Sequence, residues 1–240
     1  MLIDVEHRMH FEYDDFVRQS QMEIRVEPQV RAEQTLHSFQ LAVGPDASVE
    51  RYVDWNNNWV HHLAIRDYHN RIEIVARSLV DTLSSIRLLD SATSCPSIDL
   101  PGDVLDFCRF TGPVGRDPEL EALIGTLRLD RDAPTGAQVT AIGEIVSGRI
   151  DYQPGVTSWR STVGDVLKQG SGVCQDFAHL SLALIRSRGI PCRYVSGYLH
   201  VGELPAQSHA WIEFYDAANG WFSFDPTNGL VPNENYVVVG

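Results

Sequence analysis

Apolar and polar residues alternate along the first third of the chain. Val5, His7, Met9, Phe11 and Tyr13 share one parity, followed by Met22, Ile24 and Val26, and then by His37, Phe39, Leu41 and Val43. A period of two sends successive side chains to opposite faces, so each run predicts a strand with one wet face and one dry face. Turn-prone Gly44-Pro45-Asp46 and Asn56-Asn57-Asn58 separate further strands over 49–53 and 59–65, and Ile72, Ile74, Ala76 and Val80 supply another. Short strands at this spacing predict an antiparallel sandwich or barrel of about 80 residues. Nothing in this region reads as catalytic. His61 and His62 are adjacent, so on a strand they point apart and cannot chelate one metal together; the expectation is one solvated and one partly buried ring.

From Ser91 the alternation dissolves into Pro96, Pro101, Gly102, Gly112, Pro113 and Gly115, which predicts a partly packed linker over 91–116 between a β-rich domain at 1–90 and a second domain at 117–240. Helical spacing then appears at Leu120, Leu123, Ile124 and Leu127, at Val139, Ile142, Ile145, Val146 and Ile150, and at Val173, Phe177, Leu180 and Leu184. Strands are expected over 192–201, 208–215 and 221–225. Helices first and strands afterwards is an α+β order, unlike alternating βαβ units.

Composition narrows the function. The 240 residues carry 19 basic and 32 acidic side chains, a formal charge of −13, and a surface of that sign is repelled by nucleic acid and by anionic membranes, so neither is an expected partner. No stretch approaches the roughly 20 apolar residues that span a bilayer, and the start lacks a basic flank followed by an apolar run; the cytoplasm is the default expectation. Cys95, Cys108, Cys174 and Cys192 show no metal-knuckle spacing, and reduced thiols are expected.

One of those thiols differs from the rest. In Gly170-Ser171-Gly172-Val173-Cys174-Gln175-Asp176-Phe177, Cys174 opens an apolar helix after a small, flexible stretch. Free N–H groups and the positive end of the helix dipole favour a thiolate there, and Gly170 and Gly172 leave the approach open to a substrate backbone. Asp176 opposes the thiolate if it lies near the sulfur. His209 follows on a strand where parity separates His209, Trp211 and Glu213 from apolar Ala210, Ile212 and Phe214. In the next strand Phe222 and Phe224 point inward, and Asp225 lies on the other face with Ser223 and Trp221. Two hairpin-joined strands would then set an imidazole beside a carboxylate, giving a nucleophile, a base and an orienter in the chain order Cys174, His209, Asp225. Taken singly, each has a plainer reading: a buried helix thiol, a satisfied strand histidine, and a turn former before Pro226.

Four blocks carry a resemblance: Gly172-Val173-Cys174-Gln175-Asp176-Phe177-Ala178-His179-Leu180, Gly189-Ile190-Pro191-Cys192-Arg193-Tyr194-Val195-Ser196-Gly197-Tyr198, His209-Ala210-Trp211 and Asp225-Pro226-Thr227. In this order they resemble the transglutaminase-like cysteine-protease superfamily, and the β-rich front resembles the N-terminal domain of its bacterial branch. The resemblance implies a papain-like α+β core with Cys174 as nucleophile, His209 as general base and then acid, and Asp225 orienting His209. It implies an aromatic oxyanion donor ahead of the cysteine, for which Tyr152 and Trp159 are candidates, each with core packing as the alternative. Gln175, Asp176 and Trp211 are candidate pocket residues. Bacterial relatives continue beyond the Asp-Pro-Thr block, whereas this chain stops at Tyr236-Val237-Val238-Val239-Gly240, so a strand that has only begun and an unpaired apolar edge are expected.

The leading expectation is a thiol hydrolase acting on peptide or isopeptide bonds of a protein or peptide substrate, with no metal and no cofactor. Transfer of a glutamine acyl group to an amine, a silent binding fold, and a zinc site built from Cys174, His209 and Asp225 stand as alternatives.

Overall fold

In the computed structural model, which describes residues 1–84, 87–94, 100–202 and 207–240, the alternating front forms six strands. These are β1 (Leu2–Val17), β2 (Ser20–Ile24), β3 (Gln34–Gly44), β4 (Ser48–Val53), β5 (Trp59–Ile65) and β6 (His69–Thr82). They make two antiparallel sheets, in the orders β1-β6-β3 and β2-β5-β4. Leu63 and Ile65 of β5 pack with Ile72, Ile74 and Ala76 of β6, so the two sheets close face to face as a sandwich. Each of these large side chains contributes about 1.5–3 kcal/mol by leaving water.

Two details differ from the alternation. The register of β3 against β6 shifts between Leu36 and Ser38, so an extra residue is accommodated there and His37 is turned out to solvent; Phe39, Leu41 and Val43 keep the inward parity. His61 is more buried than expected. Its Nε2 lies 2.9 Å from Glu27, which also accepts two bonds from Arg51, and the Arg51 guanidinium stacks 3.2 Å from the Trp59 ring centroid. A charged partner, itself paired, makes that burial tolerable.

The later part begins with α1 (Gly102–Leu105), α2 (Pro118–Thr126) and α3 (Thr135–Ser147), then β7 (Asp151–Tyr152), α4 (Val163–Gln169), β8 (Ser171–Gly172) and α5 (Cys174–Arg186). Strands β9 (Cys192–Leu199), β10 (Gln207–Asp216) and β11 (Gly220–Phe224) follow. The helix starts are written in the sequence. The Asp117 carboxylate accepts from the Leu120 N–H with Pro118 in the first turn, and Thr162 and Asp165 exchange side-chain bonds at the start of α4. Gly170 ends α4 at φ 72°, a left-handed conformation that only glycine adopts without strain. Phe177, Ala178, Leu180, Ala183 and Leu184 of α5 are buried with Val139, Ile142 and Val146 of α3 and with Ile212, Phe214, Phe222 and Phe224 of the hairpin β10–β11. The two-residue parallel pair β7–β8 has no signature in the hydrophobic pattern.

The expected boundaries at 90 and 117 give way to an interleaved division. One unit comprises Met1–Ser85, Ser196–Ser208 and Asn233–Gly240; the other comprises Ile86–Val195 and His209–Pro232. The stretch expected as a linker groups with the second unit, where it makes short helical turns that bury Val104 and Val114; Cys95 and Pro96 lie outside the described residues. Among the described residues no helix is long and apolar enough to cross a membrane.

The strand expected to leave an open edge, β12 (Tyr236–Val238), is paired. It runs antiparallel to Gly197, Tyr198 and Leu199 of β9, and Val237 and Val239 pack with Ile3, Val5 and Val80. On its other side the buried Gln34 amide acts like a strand: its oxygen accepts from the Val238 N–H at 2.7 Å, and its nitrogen donates to the Val238 carbonyl at 2.8 Å. Gln34→Ala strands the Val238 N–H, while the Val238 carbonyl keeps the Gln29 N–H at 3.1 Å, and the expected loss is about 1–3 kcal/mol, measured as a lower urea midpoint with an unchanged slope.

Candidate active site

Cys174 is the first residue of α5, half-buried, and the segment before it is held by Asp176. That carboxylate is 1% exposed; one oxygen accepts from the Val173 N–H at 2.8 Å and from the Thr157 hydroxyl at 2.6 Å. Asp176 therefore caps the helix that begins at the thiol and ties the loop after β7 to it. A Cβ on Gly172 would meet the Asp176 side chain at 2.6 Å, so this glycine is required by the close approach of its own neighbour, a different reason from the open substrate path that the sequence suggests.

His209 and Asp225 meet as the hairpin reading expects. Pairing of Ile212 with Phe224 and of Phe214 with Phe222 turns those four side chains into the core and leaves Trp211 and Asp225 on the opposite face with His209. The His209 Nε2 lies 2.7 Å from an Asp225 carboxylate oxygen. Asp225 is fully buried; its other oxygen accepts from the backbone N–H groups of Thr227 (2.9 Å) and Asn228 (3.3 Å). The carboxylate takes Nε2–H as donor and leaves the second ring nitrogen for the thiol. Burial pulls the imidazole pKa down, but the hydrogen bond to Asp225, the hydrogen bond with Cys174 and the two negative charges overcome it and push the pKa up to about 9. The structure thus brings Cys174, His209 and Asp225 together.

The polar parity of β10 is not wet. Trp211 and Glu213 are as buried as Ile212 and Phe214. Arg193 donates twice to Glu213, at 2.8 and 2.6 Å, and its guanidinium covers the Trp221 ring; Trp211 stacks on His209 with the ring centroids 6.2 Å apart. A paired charge lets the second face close without leaving Glu213 unmatched.

The two aromatic candidates ahead of the cysteine separate. Tyr152 sits in β7 directly opposite Gly172; the residue is 54% exposed, and partial desolvation of its hydroxyl followed by the charge of Cys174 raises its pKa. Trp159 is 73% exposed, with the Arg160 guanidinium 4.6 Å from its ring centroid. Gln175 is half-buried at the second position of α5.

Two residues near the site escaped the sequence reading as functional residues. Tyr194 packs on His179, and burial, followed by the charges of Cys174 and Asp176, pushes its hydroxyl pKa up strongly. Asn228 reaches Asp225 with its side-chain amide at 2.7 Å. Tyr194 lies inside the second of the recognised blocks and Asn228 follows the last of them by one residue, which is the signal that marks them. Of the other thiols, Cys192 is buried with its pKa pushed up to about 12 by desolvation, and Cys108 is free; Cys95 lies outside the described residues. Among the described residues no group of three or more His, Cys, Asp or Glu side chains could hold a metal ion.

Residues 123–226 match the transglutaminase-like superfamily, and residues 3–81 match the bacterial transglutaminase-like N-terminal region. An uncharacterized protein of Mycobacterium leprae is 34% identical over 98% of this chain and 86% of its own length. A protein-glutamine gamma-glutamyltransferase of Pseudomonas aeruginosa is 39% identical over 72 residues, 26% of this chain and 11% of that protein. The crystal structure of a protein from Cytophaga hutchinsonii, described as a candidate cysteine protease, superimposes with a TM-score of 0.79 at 22% identity, covering 100% of this chain and 83% of that one.

The raised imidazole pKa has a consequence for stability. The pKa is higher in the fold than in the unfolded chain, so the charged His209 stabilises the protein fully below about pH 6.5, and that contribution is lost as the pH rises through about 9. The difference in unfolding free energy between the wild type and His209→Gln is expected to shrink across this window, as measured by urea denaturation at pH 6, 8 and 10.

Proposed function

Because the chain belongs to the transglutaminase-like superfamily and sets Cys174, His209 and Asp225 in one cluster, we propose that it is a thiol-dependent hydrolase of peptide or isopeptide amide bonds. The observation that carries this reading is His209 bonded to a buried Asp225 on one side and to Cys174 on the other. The Cys174 thiolate attacks the amide carbonyl carbon, and the carbonyl electrons move to oxygen. As the tetrahedral species collapses, the C–N bond breaks and His209 gives its proton to the departing amine, leaving a thioester. Water then attacks the thioester carbon, His209 takes its proton, and the C–S bond breaks, releasing the acid and restoring the Cys174 thiolate beside the protonated ring. Asp225 keeps the ring oriented and offsets its positive charge throughout.

The oxyanion is held by the Cys174 backbone N–H at the start of α5, and Tyr152 supplies the second donor. The pairing of β7 with β8 next to the thiol and the charge of Cys174 felt by its hydroxyl favour Tyr152, although both aromatic residues are exposed. A second reading, transfer of a glutamine acyl group to an amine, is supported by the local identity to the Pseudomonas aeruginosa enzyme; it differs only in what resolves the thioester.

Purified protein is expected to be labelled at Cys174 by thiol-directed acyl electrophiles near neutral pH, and Cys174→Ala is expected to lose the label. Absence of Cys174-dependent labelling overturns the proposal. Incorporation of a fluorescent amine into a glutamine peptide, with no hydrolysis, would decide for transfer. With an amide substrate, kcat/KM is expected to fall as the pH rises past about 9, because the proton needed by the leaving amine is then gone. Tyr152→Phe is expected to lower kcat by about 100-fold, while Trp159→Phe leaves kcat within a few-fold of the wild type in the same steady-state assay.

A further inference from the structure

Asp225 shares one oxygen between two donors, the His209 Nε2 and the Asn228 side-chain amide, each at 2.7 Å. The Asn228 backbone N–H reaches the other oxygen at 3.3 Å, beside that of Thr227 at 2.9 Å. A single residue therefore grips both oxygens of the carboxylate, which fixes the carboxylate plane and decides which oxygen faces the ring. The turn that makes this possible is closed by the Gly229 N–H donating to the Asp225 carbonyl at 2.8 Å, with Gly229 at φ 66°.

Exposure adds the second half of the argument. Asp225 is 0% exposed and the His209 side chain 8%, whereas Asn228 is an exposed residue. The amide that touches the shared oxygen thus belongs to a residue at the surface, next to a carboxylate that water does not reach. We propose that Asn228 is a positioning residue that clamps Asp225 and keeps water off the Asp225–His209 bond, and thereby sets the pH range in which His209 carries its proton. As a statement about catalysis this rests on His209 being the proton carrier.

The direction follows from solvation. Among the described residues, the charged and titratable groups known to act on the ring include Asp225, at the end of the hairpin, and Cys174, at the start of α5; Trp211, stacked on the ring, is neutral. Removing the amide brings high-dielectric water to the shared oxygen and weakens the attraction between carboxylate and imidazolium. The ring then holds its proton less tightly, and the imidazolium disappears at lower pH.

The test is a proton NMR titration of the His209 ring in the full chain, assigned with His209→Gln, for the wild type, Asn228→Ala and Asn228→Gln. The Asn228→Ala midpoint is expected to fall by at least about half a pH unit. Asn228→Gln, which keeps an amide on an exposed side chain with room for one more methylene, is expected to restore it. In parallel, the alkaline limb of kcat/KM for an amide substrate should move down with Asn228→Ala and return with Asn228→Gln. An Asn228→Ala midpoint that coincides with the wild type overturns the clamp, and so does an Asn228→Gln midpoint as low as that of Asn228→Ala. Should Asn228→Ala lose its cooperative thermal transition, Asn228→Ser, whose hydroxyl is too short to reach the shared oxygen, is read by the same criteria. A wild type without Cys174-dependent turnover sinks the hydrolase reading and leaves the NMR arm to decide the clamp. Turnover with an unmoved titration sinks the clamp alone.

Discussion

A carboxylate taken out of water must be met by donors, and this requirement shapes the hairpin that carries the site. Glu213, Asp216 and Asp225 are all essentially inaccessible. Left unpaired, any of them would cost several kcal/mol, comparable to the net stability of a domain. Each is matched differently. Glu213 takes the Arg193 guanidinium; Asp216 takes backbone N–H groups of its own turn together with Ser94 and Thr135; Asp225 takes the turn at Thr227 and Asn228, and His209. The imidazole is thus placed by the same demand that places the structural donors. The active arrangement comes from satisfying a buried charge.

The Cys174 side of the cluster is a contest between opposing charges. The start of α5 offers roughly half an elementary positive charge, spread over its free N–H groups, while the buried Asp176 brings a full negative charge to the same turn. His209 supplies a full positive charge, retained to about pH 9 because Asp225 and Cys174 both favour it. Asp176 accepts from the Val173 N–H and the Thr157 hydroxyl, and so fixes the turn that carries the sulfur.

Much of the architecture is legible in the chain because period is a local property. Strands over 59–65 and 72–80, the helix that opens at Cys174, and the order of Cys174, His209 and Asp225 all come from residues a few positions apart. The failures share a different cause. His37 sits on the expected parity, yet an irregularity in pairing with β6 turns it outward. Trp211 and Glu213 belong to the polar face of an alternating strand, yet Arg193 from the neighbouring strand and Trp221 beyond the turn allow that face to close. The end of the chain reads as an open edge, but Gln34, some two hundred positions earlier, supplies the missing bonds.

By itself the sequence determined which residue types could do chemistry and which elements hold them: a thiol at a helix start, an imidazole on a strand and a carboxylate at the end of the next. Only the tertiary structure decided what each one feels. Whether His209 holds its proton at pH 8, and how near Cys174 the residues Tyr152 and Trp159 come, depend on distances across the fold. Electrostatic energy falls with separation and rises with burial, and both are set by packing between segments far apart in the chain.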